Sequence, residues 1–201
     1  MKKRCAVFVS GSGTNMENIA KRAVAGELDC EIALVVCDHP EACAIERAKQ
    51  YGIETFVIER EKFASKTEFE TAIHNRLIGK KVEVIFLAGY MRILGAEFVC
   101  RWQWKILNIH PSLLPQYPGA HSIQDAFQAR EKETGVTVHF VDEGVDSGPV
   151  ILQRRVPILP DDTLESLEKK VHQTEYELYP EAIRLFLAGR LKVIAKRVLI
   201  S

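Results

Sequence analysis

The chain has 201 residues, which suits one α/β domain or two very small ones, and 47% of them are hydrophobic, enough for a substantial core. Lys and Arg number 27, as do Asp and Glu, so the net charge is zero and neither a nucleic acid nor an anionic membrane is indicated as a partner. No window approaches the ~20 apolar residues of a membrane span, and the five cysteines, without a CxxC motif, indicate reduced thiols in the cytoplasm.

Strand and helix patterns alternate through the first half of the chain. Apolar runs predict strands at 5–10, 31–37, 54–59 and 82–89. Helical spacing and end signals predict helices at 16–25, 38–52, 67–79 and 95–102. This βαβαβαβ order predicts a mostly parallel twisted sheet with helices on both faces and right-handed crossovers.

The second half has a different pattern. A fifth strand in KILNIHPS is followed by a predicted helix over Ile123 to Glu133 and by strands over 136–141 and 150–158, which would be antiparallel. A long helix is predicted over 163–189, interrupted or kinked at Pro180. The last residues, from Leu191, are either a final strand or a tail. No linker divides the chain, so we expect one domain over 1–201, with an antiparallel C-terminal part.

The segment SGSGTN, Ser10 to Asn15, joins the first strand to the first helix. Its glycines permit a tight turn that exposes N–H groups at a helix N-terminus, where an anion is favoured. The segment lacks the third glycine of G-x-G-x-x-G and the Gly-Lys of a P-loop. A plain strand-to-helix turn stays open as the alternative, but the hydroxyl residues and Asn15 favour a phosphate monoester site.

The segment NIHPSLLPQYPGAH, Asn108 to His121, places three prolines directly after the fifth strand. Residues two apart on a strand face the same way, so Asn108 and His110 should project together. An amide that donates to an oxyanion beside an imidazole that moves protons suits acyl transfer. A turn asparagine and a core histidine are the alternative. Ser112 suggests a serine hydrolase, but no G-x-S-x-G surrounds it.

The loop DEGVDSGP, Asp142 to Pro149, contains three acidic residues. A solvated hairpin is one interpretation, and the spacing of a Ca²⁺-binding EF-hand is absent. The functional interpretation is that one carboxylate reaches His110 and favours its protonated form. Cys37 and His39 lie close in sequence but match no familiar metal cage, so no metal is expected.

These segments together carry a resemblance to a known family. From SGSGTN through LAGYMRIL, NIHPSLLPQYPGAH and VTVHFVDEGVDSGPVILQ to QTEYELYP, nearly the whole chain resembles the folate-dependent phosphoribosylglycinamide formyltransferases, also called glycinamide ribonucleotide transformylases. The SGSGTN loop and the short length favour this branch over the methionyl-tRNA formyltransferases. The resemblance implies a Rossmann-like formyltransferase fold, with a nucleotide-binding half at about 1–105 and a folate and catalytic half at about 106–201.

The resemblance also implies the roles of the substrate-binding and catalytic residues. Asn108 would contact the formyl oxygen, His110 would donate a proton, and Asp146 would favour the protonated imidazole. Glu175 would hold the ribose of the ribonucleotide, with His172 nearby. The phosphate would be bound by three consecutive residues of the first loop: Gly13, Thr14 and Asn15.

The folate co-substrate would bind through a second set of residues. Lys66 falls where some relatives have an arginine that meets the acidic end of folate, and lysine lacks the bidentate fork of that residue. The resemblance also implies a cis peptide at Leu114–Pro115. Besides Asn108, the pterin would contact four consecutive residues: Met91, Arg92, Ile93 and Leu94.

The function that the resemblance implies is a cytoplasmic step of de novo purine (IMP) biosynthesis. The formyl group of 10-formyltetrahydrofolate, a co-substrate, would pass to the amino group of 5-phosphoribosylglycinamide. The resemblance implies only small-molecule partners, without metal, nucleic acid or membrane, for a monomer or homodimer. A formyltetrahydrofolate hydrolase and a non-catalytic folate- or nucleotide-binding module are the alternatives. The phosphate loop argues against the hydrolase, because hydrolysis needs no phosphorylated acceptor.

Overall fold

The computed structural model describes residues 2–201. The strands are β1 (Lys3–Val9), β2 (Cys30–Cys37), β3 (Thr55–Val57), β4 (Val84–Leu87), β5 (Ile106–His110), β6 (Glu133–Phe140), β7 (Val150–Pro157), β8 (Leu191–Ile194) and β9 (Arg197–Ile200). The α-helices are α1 (Thr14–Val24), α2 (Cys43–Gln50), α3 (Lys66–Gly79), α4 (Ala96–Arg101), α5 (Ser122–Gln128) and α6 (Leu164–Leu187). Across the described residues, none of the helices combines the length and apolar character of a membrane span.

The predicted fold class, a mostly parallel sheet with an antiparallel C-terminal part, is confirmed. A seven-stranded sheet has the order β3-β2-β1-β4-β5-β6-β7, and β8 and β9 form a separate antiparallel pair. The chain divides into two compact units, of which one ends at Leu107 and the other begins at Asn108. The expectation of a single domain stays a prediction.

In the first unit, β1 pairs in parallel with β2 and β4, and β2 pairs in parallel with β3. The side chains of β4 and of most of β1 are buried, as consecutive apolar residues are in a strand covered on both faces. Helix α2 begins at Cys43, later than predicted. Pro40 lies in a turn closed by the Ala42 N–H on the His39 carbonyl, and a residue before proline is disfavoured in a helix.

In the second unit, β6 and β7 are antiparallel, as predicted. The prediction of a helix continuing to Glu133 is wrong. Helix α5 ends at Gln128, and Glu133 is already the first residue of β6. Arg130 has a φ of 55°, a left-handed conformation that a helix cannot continue through.

The long helix α6 runs through Pro180 without a break, so the predicted interruption is wrong, whereas the alternative of a kink stays a prediction. Pro180 is buried, and its packing offsets the hydrogen bond that proline cannot donate. At the other end, Thr163 and Ser166 form a capping box that fixes where the helix begins. The C-terminal residues form the hairpin β8–β9 rather than a tail.

The turn between β1 and α1 is held against α2. Gly13 precedes α1 with a φ of 73°, and a Cβ on it would lie 2.5 Å from the Cβ of Ala44. The Ala44 N–H donates to the Gly11 carbonyl over 3.2 Å, and Arg47 Nε donates to the Ser12 carbonyl over 2.9 Å. Helix α1 has no side-chain N-cap, and the positive end of its dipole favours an anion at this N-terminus.

The close approach of α2 makes a matched pair of glycine substitutions informative. Gly26 also has a positive φ, 75°, but a Cβ added to it would meet no heavy atom within 4 Å. Gly26→Ala should therefore cost only the left-handed backbone strain, about 1–2 kcal/mol. Gly13→Ala adds a steric clash and should cost about 2–4 kcal/mol. Urea unfolding measures both losses, and equal losses would show that Ala44 moves away freely.

Candidate active site

Two polar side chains of the second unit, Asn108 and His110, come together around the carboxylate of Asp146. Asn108 and His110 lie at the end of β5, and Asp146 lies in the loop between β6 and β7. His110 Nδ1 is 3.5 Å from Asp146 Oδ2, and Asn108 Nδ2 donates to Asp146 Oδ1 over 3.5 Å. The Gly119 N–H donates to Asp146 Oδ2 over 2.9 Å. The side chains of His110 and Asp146 are 6% and 14% exposed, so little water screens their interaction.

The two nitrogens of the His110 ring have different tasks. Nε2 lies 2.9 Å from the Tyr117 carbonyl oxygen. A carbonyl only accepts, so Nε2 carries a hydrogen in either charge state. Nδ1, which faces Asp146, is therefore the atom that gains or loses a proton. The loop from Pro111 to Pro118, here called the proline loop, thus fixes the tautomer of His110 through its backbone.

The amide of Asn108 is oriented by a residue that the sequence did not single out, His139. His139 Nδ1 donates to the Phe140 carbonyl over 2.9 Å, so its Nε2 is an acceptor when the ring is neutral. Asn108 Nδ2 donates to that Nε2 over 3.1 Å. One N–H of the amide is thus anchored to His139, and the other has only the long contact with Asp146.

Burial keeps His139 in this acceptor form. Its side chain is 2% exposed, and desolvation lowers its pKa below the ordinary histidine value, while the nearby Asp146 charge opposes that shift. A histidine within an apolar alternating strand, VTVHFV, resembles an ordinary core residue. One feature of the sequence could have distinguished His139. It lies two residues after Thr137, so β6 carries two polar side chains on the same face.

The proline loop is fixed by buried hydrogen bonds. The Ser112 hydroxyl is fully buried and donates to the Gln116 carbonyl over 2.6 Å, so it is not presented as a nucleophile. Thr137 Oγ1 accepts from the Leu114 N–H over 3.1 Å and donates to the Ser112 carbonyl over 2.7 Å. Gln153 Nε2 donates to the Leu114 carbonyl over 3.0 Å. The expected cis peptide at Leu114–Pro115 is present.

Elsewhere in the second unit, Glu175 and His172 lie one turn apart on α6. His172 Nδ1 is 2.9 Å from Glu175 Oε2, and this hydrogen bond raises the pKa of His172 above the ordinary histidine value. Glu175 is buried and His172 is about half exposed. Glu175 therefore favours the charged form of the His172 imidazole.

In the first unit, the residues expected to line the pterin pocket follow β4. Met91 and Ile93 are 65% and 62% exposed, whereas Leu94 is buried. Arg92 Nε donates to Asp38 over 2.6 Å, so its charge is already paired within this unit. Backbone groups and apolar side chains, rather than the Arg92 charge, are left to contact a ligand here.

Lys66 is the first residue of α3, and its side chain is 49% exposed. Its Nζ lies 3.9 Å from Glu70 Oε1, a contact of the weak, exposed kind. Glu70 also accepts the Gly95 N–H over 2.7 Å, which ties it to the segment before α4. The Lys66 ammonium and the helix dipole together favour an anion at this end of α3.

Comparison with known proteins gives a consistent set of relatives. The family model described as formyl transferase matches residues 3–183. The phosphoribosylglycinamide formyltransferase of Bacillus subtilis is 45% identical over 185 residues, which cover 92% of this chain and 95% of that protein. The trifunctional purine biosynthetic protein adenosine-3 of Drosophila melanogaster is 43% identical over 190 residues, which cover 94% of this chain but only 14% of that protein.

Solved structures of similar proteins agree with this result. The crystal structure of glycinamide ribonucleotide transformylase 1 from Symbiobacterium toebii is 41% identical with a TM-score of 0.96, covering 98% of this chain and 93% of that one. A formyltetrahydrofolate deformylase from Pseudomonas syringae has a TM-score of 0.92 but is 25% identical, covering 100% of this chain and 66% of that one. The deformylase is therefore the more distant in sequence.

The environment of His139 predicts its protonation state. At about pH 6.5, the ordinary histidine pKa, its ring should be mostly neutral with hydrogen on Nδ1, because desolvation lowers its own pKa below that value. The unfolded chain binds this proton more readily, so His139 should lower stability as pH falls below about 6.5. ¹⁵N NMR of the imidazole nitrogens tests the state, with His172 as a control that protonates at higher pH. A protonated Nε2 on His139 at this pH would contradict the assignment.

Proposed function

The chain belongs to the formyl transferase family, and on that basis we propose that it transfers the formyl group of 10-formyltetrahydrofolate to the amino group of 5-phosphoribosylglycinamide. The products would be the N-formyl ribonucleotide and tetrahydrofolate, in de novo purine biosynthesis. The names of the Bacillus subtilis and Symbiobacterium toebii relatives support this substrate, and both relatives match over nearly their full length.

The observation that carries the proposal is the orientation of the Asn108 amide. One of its N–H groups is anchored on His139 over 3.1 Å, and the other has only a 3.5 Å contact with Asp146. A formyl oxygen that becomes an oxyanion can replace this weaker contact with a short one. A donor that is already oriented costs no reorganisation when charge develops, which is the requirement for oxyanion stabilisation.

His110 and Asp146 would manage the protons of the transfer. The amine attacks the formyl carbon, the C–N10 bond of the folate breaks, the amine loses one proton and N10 gains one. Protonated His110 would hold its mobile proton on Nδ1, 3.5 Å from Asp146 Oδ2, and supply positive charge beside the oxyanion. His110 would donate the proton that N10 gains, and Asp146 would stabilise the imidazolium and relay the proton lost by the amine back to His110, so that the protons balance.

The remaining residues would bind the substrates. The N–H groups of Thr14 and Asn15, at the uncapped N-terminus of α1, suit the ribonucleotide phosphate, with Gly13 required for the turn. Glu175 would accept from ribose hydroxyls. The exposed side chains of Met91 and Ile93 would contact the pterin, together with the backbone of this segment: Met91, Arg92, Ile93 and Leu94.

Lys66 would meet the acidic end of folate as a point charge at the start of α3. We further propose that the enzyme works in the cytoplasm, without metal, nucleic acid or membrane. The balanced charge of the chain supports this proposal, because no excess of either sign attracts a polyelectrolyte.

A formyltetrahydrofolate hydrolase is the second candidate, favoured by the structural likeness to the Pseudomonas syringae deformylase. Formyl transfer should be followed from 10-formyltetrahydrofolate with the phosphorylated amine, with its dephosphorylated form and with no acceptor. We expect turnover that depends on the phosphorylated acceptor. Equal deformylation without an acceptor would establish the hydrolase, and folate binding without turnover would indicate a binding module.

Removal of the Asn108 amide should specifically damage the chemical step. Asn108→Ala should lower kcat by about 10²–10³-fold, because one oxyanion donor is lost. Asn75→Ala, which removes an exposed amide from α3, is the matched control and should retain wild-type turnover. Circular dichroism checks that both variants fold. A folded Asn108→Ala protein with wild-type kcat would remove Asn108 from the mechanism.

A further inference from the structure

The loop that carries Asp146 is organised internally by another carboxylate, Asp142. Asp142 Oδ1 accepts the Gly144 N–H over 3.1 Å and the Ser147 hydroxyl over 2.7 Å. These two bonds bracket Asp146 on both sides in sequence. The side chain of Asp142 is only 15% exposed, so its bonds are partly protected from water.

The base of the same loop is closed tightly. The Phe140 N–H donates to the Pro149 carbonyl over 2.9 Å, and a Cβ on Gly148 would lie 1.8 Å from the Phe140 carbonyl oxygen. Between these points, Asp146 has a φ of 50°, in the left-handed region. Such a conformation persists where surrounding contacts hold it, so the order of the loop depends on anchors such as Asp142.

The other oxygen of Asp142 faces the C-terminal hairpin. Lys196 Nζ lies 3.7 Å from Asp142 Oδ2, and strand β9 of the hairpin contacts β7. Lys196 lies in the hairpin turn with a φ of 60°, where glycine or asparagine would be less strained. Lysine is uncommon in this backbone conformation, and the ion pair with Asp142 is a functional reason for its presence here.

We propose that the C-terminal hairpin is a positioning element of the active site, acting from Lys196 through Asp142 on the loop that presents Asp146. Lys196 and Asp142 would contact neither substrate. The effect of these two residues on loop order does not depend on which reaction the protein catalyses, whereas their effect on turnover rests on the proposed function.

The two residues should contribute unequally. The side chain of Lys196 is 80% exposed, and ion pairs of this kind change an equilibrium by only about 2- to 5-fold. The charged carboxylate of Asp142 accepts two hydrogen bonds, so its removal should open the loop by about 10- to 100-fold. Asp142→Asn keeps an acceptor but loses the charge, and it should resemble the loss of Lys196.

Amide hydrogen exchange by NMR on the full chain measures loop order directly. The informative amides are Gly144, which donates to Asp142, and Gly119, which donates to Asp146. Lys196→Met should raise both exchange rates about 2- to 5-fold, and Lys196→Arg should restore them. Lys192→Met, which removes another exposed charge from the same hairpin, is the matched control. The difference in exchange rate between Lys196→Met and the wild-type protein should shrink in about 1 M salt, where the Debye length is about 3 Å.

Steady-state kinetics then connect loop order to turnover. Lys196→Met should lower kcat by the same 2- to 5-fold with the KM for the acceptor unchanged. Adding Asp142→Asn to Lys196→Met should cause no further loss, because both remove one interaction. If Lys196→Met has the same exchange rates as Lys192→Met, the inference is overturned, even when the enzyme is active. Faster exchange in a protein without formyl transfer would uphold it and reject the proposed function instead.

Discussion

The Asp146 carboxylate joins its own loop to two parts of the segment from Asn108 to His121. It accepts a hydrogen bond from Gly119 after the proline loop and lies beside Asn108 and His110 at the end of β5. A carboxylate with 14% of its side chain exposed is costly unless donors or cations surround it. The loop, the proline segment and the strand end therefore stabilise one another, and disturbing any one leaves a buried charge poorly solvated.

A chain of hydrogen bonds with a fixed donor-to-acceptor order leads to the Asp146 carboxylate. The Phe140 carbonyl sets the tautomer of His139, His139 orients the amide of Asn108, and the amide presents its remaining N–H toward Asp146. Desolvation keeps His139 neutral, so it remains an acceptor. On α6, the hydrogen bond from His172 to Glu175 has the opposite effect and favours the charged imidazole. Two histidines of one protein are thus assigned opposite forms by their surroundings.

The parts of this arrangement that follow from local spacing could be predicted from the sequence. Asn108 and His110 are expected to project together because they are two residues apart on a strand, and an acidic residue of the DEGVDSGP loop is expected near His110. His139 is harder to find by such reasoning, because the only local signal in its apolar strand is polar Thr137 two residues earlier. Its contact with Asn108 joins residues 31 apart, and only the pairing of the chain in three dimensions produces it.

Errors in the predicted elements have similar causes. Helix α5 ends early because Arg130 has a left-handed backbone conformation, which arginine rarely adopts and the sequence therefore does not predict. Helix α6 continues through Pro180 because tertiary packing outweighs the local preference of proline. The sequence leaves the hairpin β8–β9 undecided because its turn, Ala195 and Lys196, lacks the Asn-Gly pair that marks such turns.

The left-handed backbone at Asp146 also limits how this position can change during evolution. Glycine adopts such a φ without strain, and aspartate and asparagine adopt it with less strain than other residues, whereas glutamate carries the same charge on a side chain less suited to it. Asparagine or glycine would keep this backbone conformation, but glycine would remove the acceptor of the Gly119 N–H. The backbone turn at this position can therefore be retained when the proposed catalytic carboxylate is lost.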